Sequence, residues 1–179
     1  MNIPMKVYAI LADPNTEAQI VILKDEQNRV LLPIWMGAFE ASAIRLAMEK
    51  IAIPRPLTHD LLKEVLTYLH FRLDKVIIND VQNSTYYAAL YLEETVSNKP
   101  VTPAGKDAPL LPAQKKGAPA TLKSLQIDAR PSDAIALSLR FDAPLYVDET
   151  LLNKKETDDG LSEWLSRLHP KDFGSFYNA

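Results

Sequence analysis

Apolar and polar positions alternate in short blocks through the first third of the chain. Lys6 to Leu11 (KVYAIL), Gln19 to Lys24 (QIVILK) and Val30 to Ile34 (VLLPI) read as strands. Asp25-Glu26-Gln27-Asn28 is a turn between the second and third. Pro33 cannot donate to a ladder, which predicts an edge position or a strand end. From Glu40 the period changes. Ala41, Ala43, Ile44, Ala47, Met48 and Ile51 recur at helical spacing, and Pro54 and Pro56 stop that helix. Thr58 is the expected cap of a second helix, whose Leu61, Leu62, Val65, Leu66 and Leu69 form an apolar stripe. Strands follow at Lys75–Asn79, Thr85–Leu92 and Leu122–Ile127. A helix capped by Ser132 with its body at Ala134–Leu139, a strand at Leu145–Val147, and an amphipathic helix through Leu161, Trp164, Leu165 and Leu168 complete the pattern.

Two segments resemble one another. Glu40 lies six residues after Ile34, and Asp133 six after Ile127; each acid precedes an alanine and a small-residue helix. This is what a duplicated β-β-β-α-α unit would leave, and it predicts an α+β fold.

Composition changes this picture at three points. The chain has 179 residues, so one domain is expected, at 1–150, with residues 151–179 forming a helix and tail packed on it. There are 13 prolines and 5 glycines, and Pro100, Pro103, Pro109, Pro112 and Pro119 crowd into one lysine-bearing stretch. That stretch, about 97–121, reads as an inserted surface loop with a local positive field. There is no cysteine, which excludes disulfides, thiolate metal sites and cysteine nucleophiles. The net charge of -3 argues against a basic nucleic-acid coat protein, while a local basic cleft stays open. The absence of a membrane-length apolar run and of a basic, apolar leader makes a cytoplasmic protein without membrane contact the expectation.

Two junctions carry candidate chemistry. In Pro54-Arg55-Pro56-Leu57-Thr58-His59-Asp60, prolines stiffen the backbone around Arg55, a phosphate-binding residue type. His59 and Asp60 fall where a helix start exposes free amides, and a histidine there can act as acid or base. In Asp128-Ala129-Arg130-Pro131-Ser132-Asp133, two carboxylates and an arginine stand between a strand end and a helix start. Asp128 and Asp133, with Glu40 or Asp60, could hold Mg²⁺ or Mn²⁺ through oxygen ligands. The same residues could instead form an Arg–Asp network that locks the two junctions. Tyr86 and Tyr87 could stack on a base, or pack half-buried in a strand.

Leu32-Pro33-Ile34-Trp35-Met36-Gly37, Arg55-Pro56-Leu57-Thr58-His59-Asp60-Leu61-Leu62, Ser84-Thr85-Tyr86-Tyr87-Ala88 and Asp128-Ala129-Arg130-Pro131-Ser132-Asp133-Ala134-Ile135-Ala136-Leu137 together resemble the bifunctional nuclease domain family over roughly residues 5 to 150. The resemblance implies a duplicated unit with a mixed, barrel-like sheet flanked by helices, and a nuclease acting on RNA and DNA. By matching motif, Arg55, Thr58 and Arg130 would bind phosphate, with His59, Asp60, Asp128 and Asp133 catalytic. A divalent metal, if present, would fall to Glu40, Asp128 and Asp133. The alternative class is a non-catalytic oligomeric scaffold or ligand-binding module; in either case a homo-oligomer, most simply a dimer, is expected.

Overall fold

The computed structural model describes residues 1–13, 16–27, 30–95 and 123–153. The inserted loop and the terminal amphipathic helix and tail expected from the sequence lie outside these residues. Among the described residues seven strands form one sheet: β1 (Asn2–Ala12), β2 (Gln19–Asp25), β3 (Leu31–Met36), β4 (Phe71–Gln82), β5 (Thr85–Glu94), β6 (Ser124–Ala129) and β7 (Leu145–Asp148). Helices α1 (Ala38–Met48) and α2 (Thr58–Tyr68) follow β3, α3 (Pro131–Phe141) follows β6, and α4 (Glu149–Asn153) follows β7.

The strand order is β3-β2-β1-β7-β4-β5-β6. Among these described strands only the β4–β7 pair is parallel, so the sheet is mixed. The barrel-like closure expected from the family resemblance is wrong. The terminal strands β3 and β6 stand at opposite ends of an open sheet and do not pair with each other. Closure would need a further ladder between them and a consistent stagger along every strand. The duplication, in contrast, is visible in the strand order. On either side of β7, β1, β2 and β3 mirror β4, β5 and β6 in position, and each pair of counterparts runs in opposite directions. That is the symmetry of a twofold axis normal to the sheet. The second unit departs from β-β-β-α-α by placing β7 after α3.

The main core fills the helix side of the sheet. Val21 and Leu23 of β2, Leu32 and Ile34 of β3, Val76 and Ile78 of β4, and Ala88, Leu90 and Leu92 of β5 pack there with Ile44 of α1 and Ala134, Ile135 and Leu137 of α3. The alanines at 134 and 136 let α3 sit close to the sheet; both are fully buried. α3 contacts both other long helices and lies over β4 and β5, whereas α1 lies over β2. Pro33 occupies an edge strand, as its missing N–H requires. The α2 stripe behaves differently from a core stripe, because no residue of α2 is fully buried.

Candidate functional site

Both chemistry-bearing junctions meet at α3. Leu57, rather than Thr58, takes the cap position of α2. A leucine side chain cannot accept, so half of a capping box forms: the Leu57 amide donates to Asp60 Oδ2 at 2.9 Å. On α3, Arg130 takes the cap position and Pro131 the first helical turn, where its missing N–H costs nothing. Ser132 is therefore inside the helix, and it is buried. Glu40 and Asp133 each occupy the third position of their helix, α1 and α3, so the faint repeat in the sequence places two equivalent acids at two helix starts. Gly37 leaves room for Glu40 to fold back over the start of α1; a Cβ at position 37 would collide with the Glu40 carboxylate.

Arg130 stands between the two acids. Its Nε and Nη2 donate to Asp133 Oδ2 and Oδ1 at 2.8 and 3.2 Å, and Nη1 reaches Glu40 Oε1 at 3.4 Å. His59, from the first turn of α2, places Nε2 at 3.1 Å from Asp133 Oδ1. One carboxylate thus holds both an imidazole and a guanidinium. Partial burial pushes the Asp133 carboxyl upward, but hydrogen bonds from Arg130 and His59 outweigh it and hold it below the ordinary carboxylate range. Asp133 is therefore ionised and can orient the imidazole. The Arg130 side chain is 66% exposed. Among the described residues, His59 Nδ1 has no hydrogen-bond partner.

A second, drier pair lies beside the first. Arg140 Nε donates to Asp60 Oδ1 at 2.6 Å, and Nη1 donates to the carbonyls of Ala43 and Ala136, each at 3.0 Å. Burial pushes the Asp60 carboxyl up, and the bonds from Arg140 and the Leu57 amide bring it below its ordinary value. Lys63 adds a bond to the Arg140 carbonyl. This pair lines a cleft of about 420 Å³ between α1, the α1–α2 loop and α2, together with Lys50, Ile51 and Glu64. The sequence reading missed Arg140 because it ended the α3 body at Leu139. The signal was present: Asp133 and Arg140 are seven residues apart, two turns along one helix face.

The remaining candidates stand apart. Arg55 and Thr58 are exposed, in the α1–α2 loop and at the α2 start, and neither side chain has a partner among the described residues. Asp128 is exposed on β6 opposite Ala89, on the sheet face away from Leu90 and the helices. Asp128 is thus kept from Glu40 and Asp133, and both of those acids already face a guanidinium. Among the described residues, no three His, Asp or Glu side chains gather at metal-holding spacing. The donor set does not fit a preformed cation cage.

The depressed carboxyls carry a pH prediction. A carboxyl whose folded value lies below its unfolded value of about 3.9 stabilises the fold above that value and loses the contribution as pH falls through the folded value. The urea midpoint should drop below about pH 4, and the drop should be shallower in Asp133→Asn. Parallel pH curves for the two proteins would show that Asp133 is not held ionised by its neighbours.

An open, internally duplicated α+β sheet with an imidazole–carboxylate–guanidinium cluster at paired helix starts defines a small α+β domain. The chain belongs to the bifunctional nuclease domain family, whose model matches residues 21–159. An uncharacterised protein of Mycobacterium tuberculosis is 30% identical over 148 residues, 83% of this chain and 73% of that protein. Bifunctional nuclease 1 of Oryza sativa subsp. indica is 24% identical over 141 residues, 79% of this chain and 36% of its own length. Bifunctional nuclease 2 of Oryza sativa subsp. japonica is 25% identical over 132 residues, 74% of this chain and 34% of its own length. Among the described residues, no helix is long and apolar enough to cross a membrane.

Proposed function

We propose that this chain hydrolyses phosphodiester bonds of RNA or DNA at the His59–Asp133–Arg130 cluster. The observation that carries the reading is the shared Asp133 carboxylate, which fixes an acid–base group and a phosphate-binding group side by side. Family membership and the names of the rice relatives point to the same chemistry.

In this reading Arg130 uses its remaining N–H groups on a phosphate oxygen, and Glu40 braces it from the other side. Arg55 is available for a neighbouring phosphate. A water oxygen bonds to phosphorus as the P–O ester bond breaks. His59 takes the water proton or gives one to the leaving oxygen through Nδ1. Asp133 holds the ring in place and offsets its charge when it is protonated. Asp60 acts as a positioning residue, since Arg140 and the Leu57 amide occupy its oxygens.

The purely structural network weighed at the sequence level describes the Asp60–Arg140 pair well. It describes Arg130 poorly, because that side chain is largely in solvent. The test is steady-state hydrolysis of labelled single-stranded and duplex RNA and DNA, with Mg²⁺, Mn²⁺ or EDTA. Loss of a charged hydrogen bond to phosphate should raise KM about 10- to 100-fold in Arg130→Ala, with Arg130→Lys between it and wild type. An unchanged KM in a folded Arg130→Ala protein would remove Arg130 from the site.

A further inference from the structure

The cleft beside the Asp60–Arg140 pair combines an apolar wall with unused donors and an unused acceptor. Its volume, about 420 Å³, lies in the range of small-molecule sites, about 300–1,000 Å³. Ile51, Ile53, Pro54 and Pro56 form the wall. Both isoleucines are exposed, so a flat ring laid against them gains from burial. The Arg140 side chain is only 7% exposed, and its Nε and Nη1 are taken by Asp60 and two carbonyls. Nη2 has no partner among the described residues and keeps some solvent contact. The cleft is the opening that Arg140 borders. Glu64 and Lys50 border it as well; both are exposed, and neither side chain has a partner among the described residues. Asp60 adds no acceptor, because Arg140 and the Leu57 amide occupy its two oxygens.

We propose that this cleft receives a guanine base of the bound strand, joined to the phosphate at Arg130, and so sets where the strand is cut. Guanine carries acceptors at O6 and N7 beside donors at N1 and N2. Glu64 lies four residues after Asp60 on α2, which sets their Cβ atoms about 5–6 Å apart on one helix face. Asp60 in turn holds Arg140. A carboxylate and a guanidinium thus stand about one helical turn apart, close to the spacing of the acceptor and donor groups on the pairing edge of guanine. Glu64 accepts from N1–H and N2–H as a bidentate pair, Arg140 Nη2 donates to O6, and Lys50 extends the donor side toward N7. Adenine and cytosine reverse that edge, so an amine would face the guanidinium and a ring nitrogen the carboxylate. Uracil offers one donor where guanine has two. The reach also fits. Asp133 and Arg140 are seven residues apart on α3, about 10 Å, which is the length of a nucleotide from phosphate to the far edge of its base. His59 and Asp60, consecutive on α2, face the two ends of that span. The choice of a nucleobase as occupant rests on the hydrolysis reading; the donor and acceptor pattern of the cleft does not.

Calorimetric titration with nucleoside 3′- and 5′-monophosphates reads the cleft without any cleavage. Guanosine monophosphate should bind about 10- to 100-fold more tightly than its adenosine or cytidine counterpart, the discrimination of one bidentate pair. Inosine monophosphate, which lacks the N2 amine, should fall between. Glu64→Gln changes an exposed side chain at constant shape, so the fold is kept, and it should remove most of the difference. End-labelled RNA and DNA of mixed sequence should be cut beside guanine, and the cuts should spread to other bases in Glu64→Gln. Equal affinities for the four nucleotides, or a guanosine preference that Glu64→Gln leaves intact, would overturn the assignment. Cleavage with no base preference would also overturn it and leave the hydrolysis reading standing. Guanosine binding that depends on Glu64, without cleavage of any strand, would uphold the cleft and overturn the hydrolysis reading alone.

Discussion

Replacing Arg140 by alanine is expected to cost about 2–3 kcal/mol of stability, a fall in Tm of roughly 5–10 °C for a chain of this size. The side chain is only 7% exposed and ties three helices together: Asp60 of α2, the Ala43 carbonyl of α1 and the Ala136 carbonyl of its own helix. Removing one partner of a fully buried ion pair costs about 3–5 kcal/mol. The value here is smaller because Asp60 is partly in solvent and keeps the Leu57 amide. Both carbonyls also lie inside helices, where the ladder still serves them. Arg130→Ala is the contrasting case. Its side chain is largely exposed, so Tm should stay close to wild type. Thermal unfolding of the two variants in one buffer separates them. If Arg140→Ala melted with wild type, the three helices would be held by apolar packing alone.

The second large effect concerns rate. In His59→Gln the amide can still bond to Asp133 but cannot carry a proton between water and a leaving oxygen. Positioned acid–base groups contribute about 10²- to 10⁴-fold, and kcat should fall within that range. KM should change little, because Arg130 and Glu40 keep their geometry. A fall in kcat with a constant KM would identify a group that acts in the transition state, while a loss in KM alone would make His59 a binding residue.

Local patterns in the sequence were a sound guide to local structure and a poor one to assembly. Alternation located the strands because side chains change face at every residue, and Pro33 marked its edge through a missing donor. The acids at 40 and 133 marked equivalent helix starts. The open sheet was not legible, because β7 enters between β1 and β4 through contacts far apart in the chain, and no local period records them. The same limit applied to the site. The Arg130–Asp133 pair is three residues apart and could be read directly; His59 reaches Asp133 across 74 residues. Thr58 and Ser132 resembled caps by type, but the chain enters each helix one and two residues earlier, at Leu57 and Arg130. The α2 stripe was legible as a stripe, but periodicity shows only that one side is apolar and is silent on what covers it, and none of its residues is buried.

The most direct test of the central claim is single-turnover hydrolysis of an end-labelled RNA and a matching DNA. Wild type and His59→Gln should be purified in parallel and shown to melt alike. The His59–Asp133–Arg130 reading predicts cleavage by the wild type and a loss of about 10²-fold or more in His59→Gln. Equal rates for the two proteins, or no cleavage by wild type with Mg²⁺, Mn²⁺ or EDTA, would contradict it.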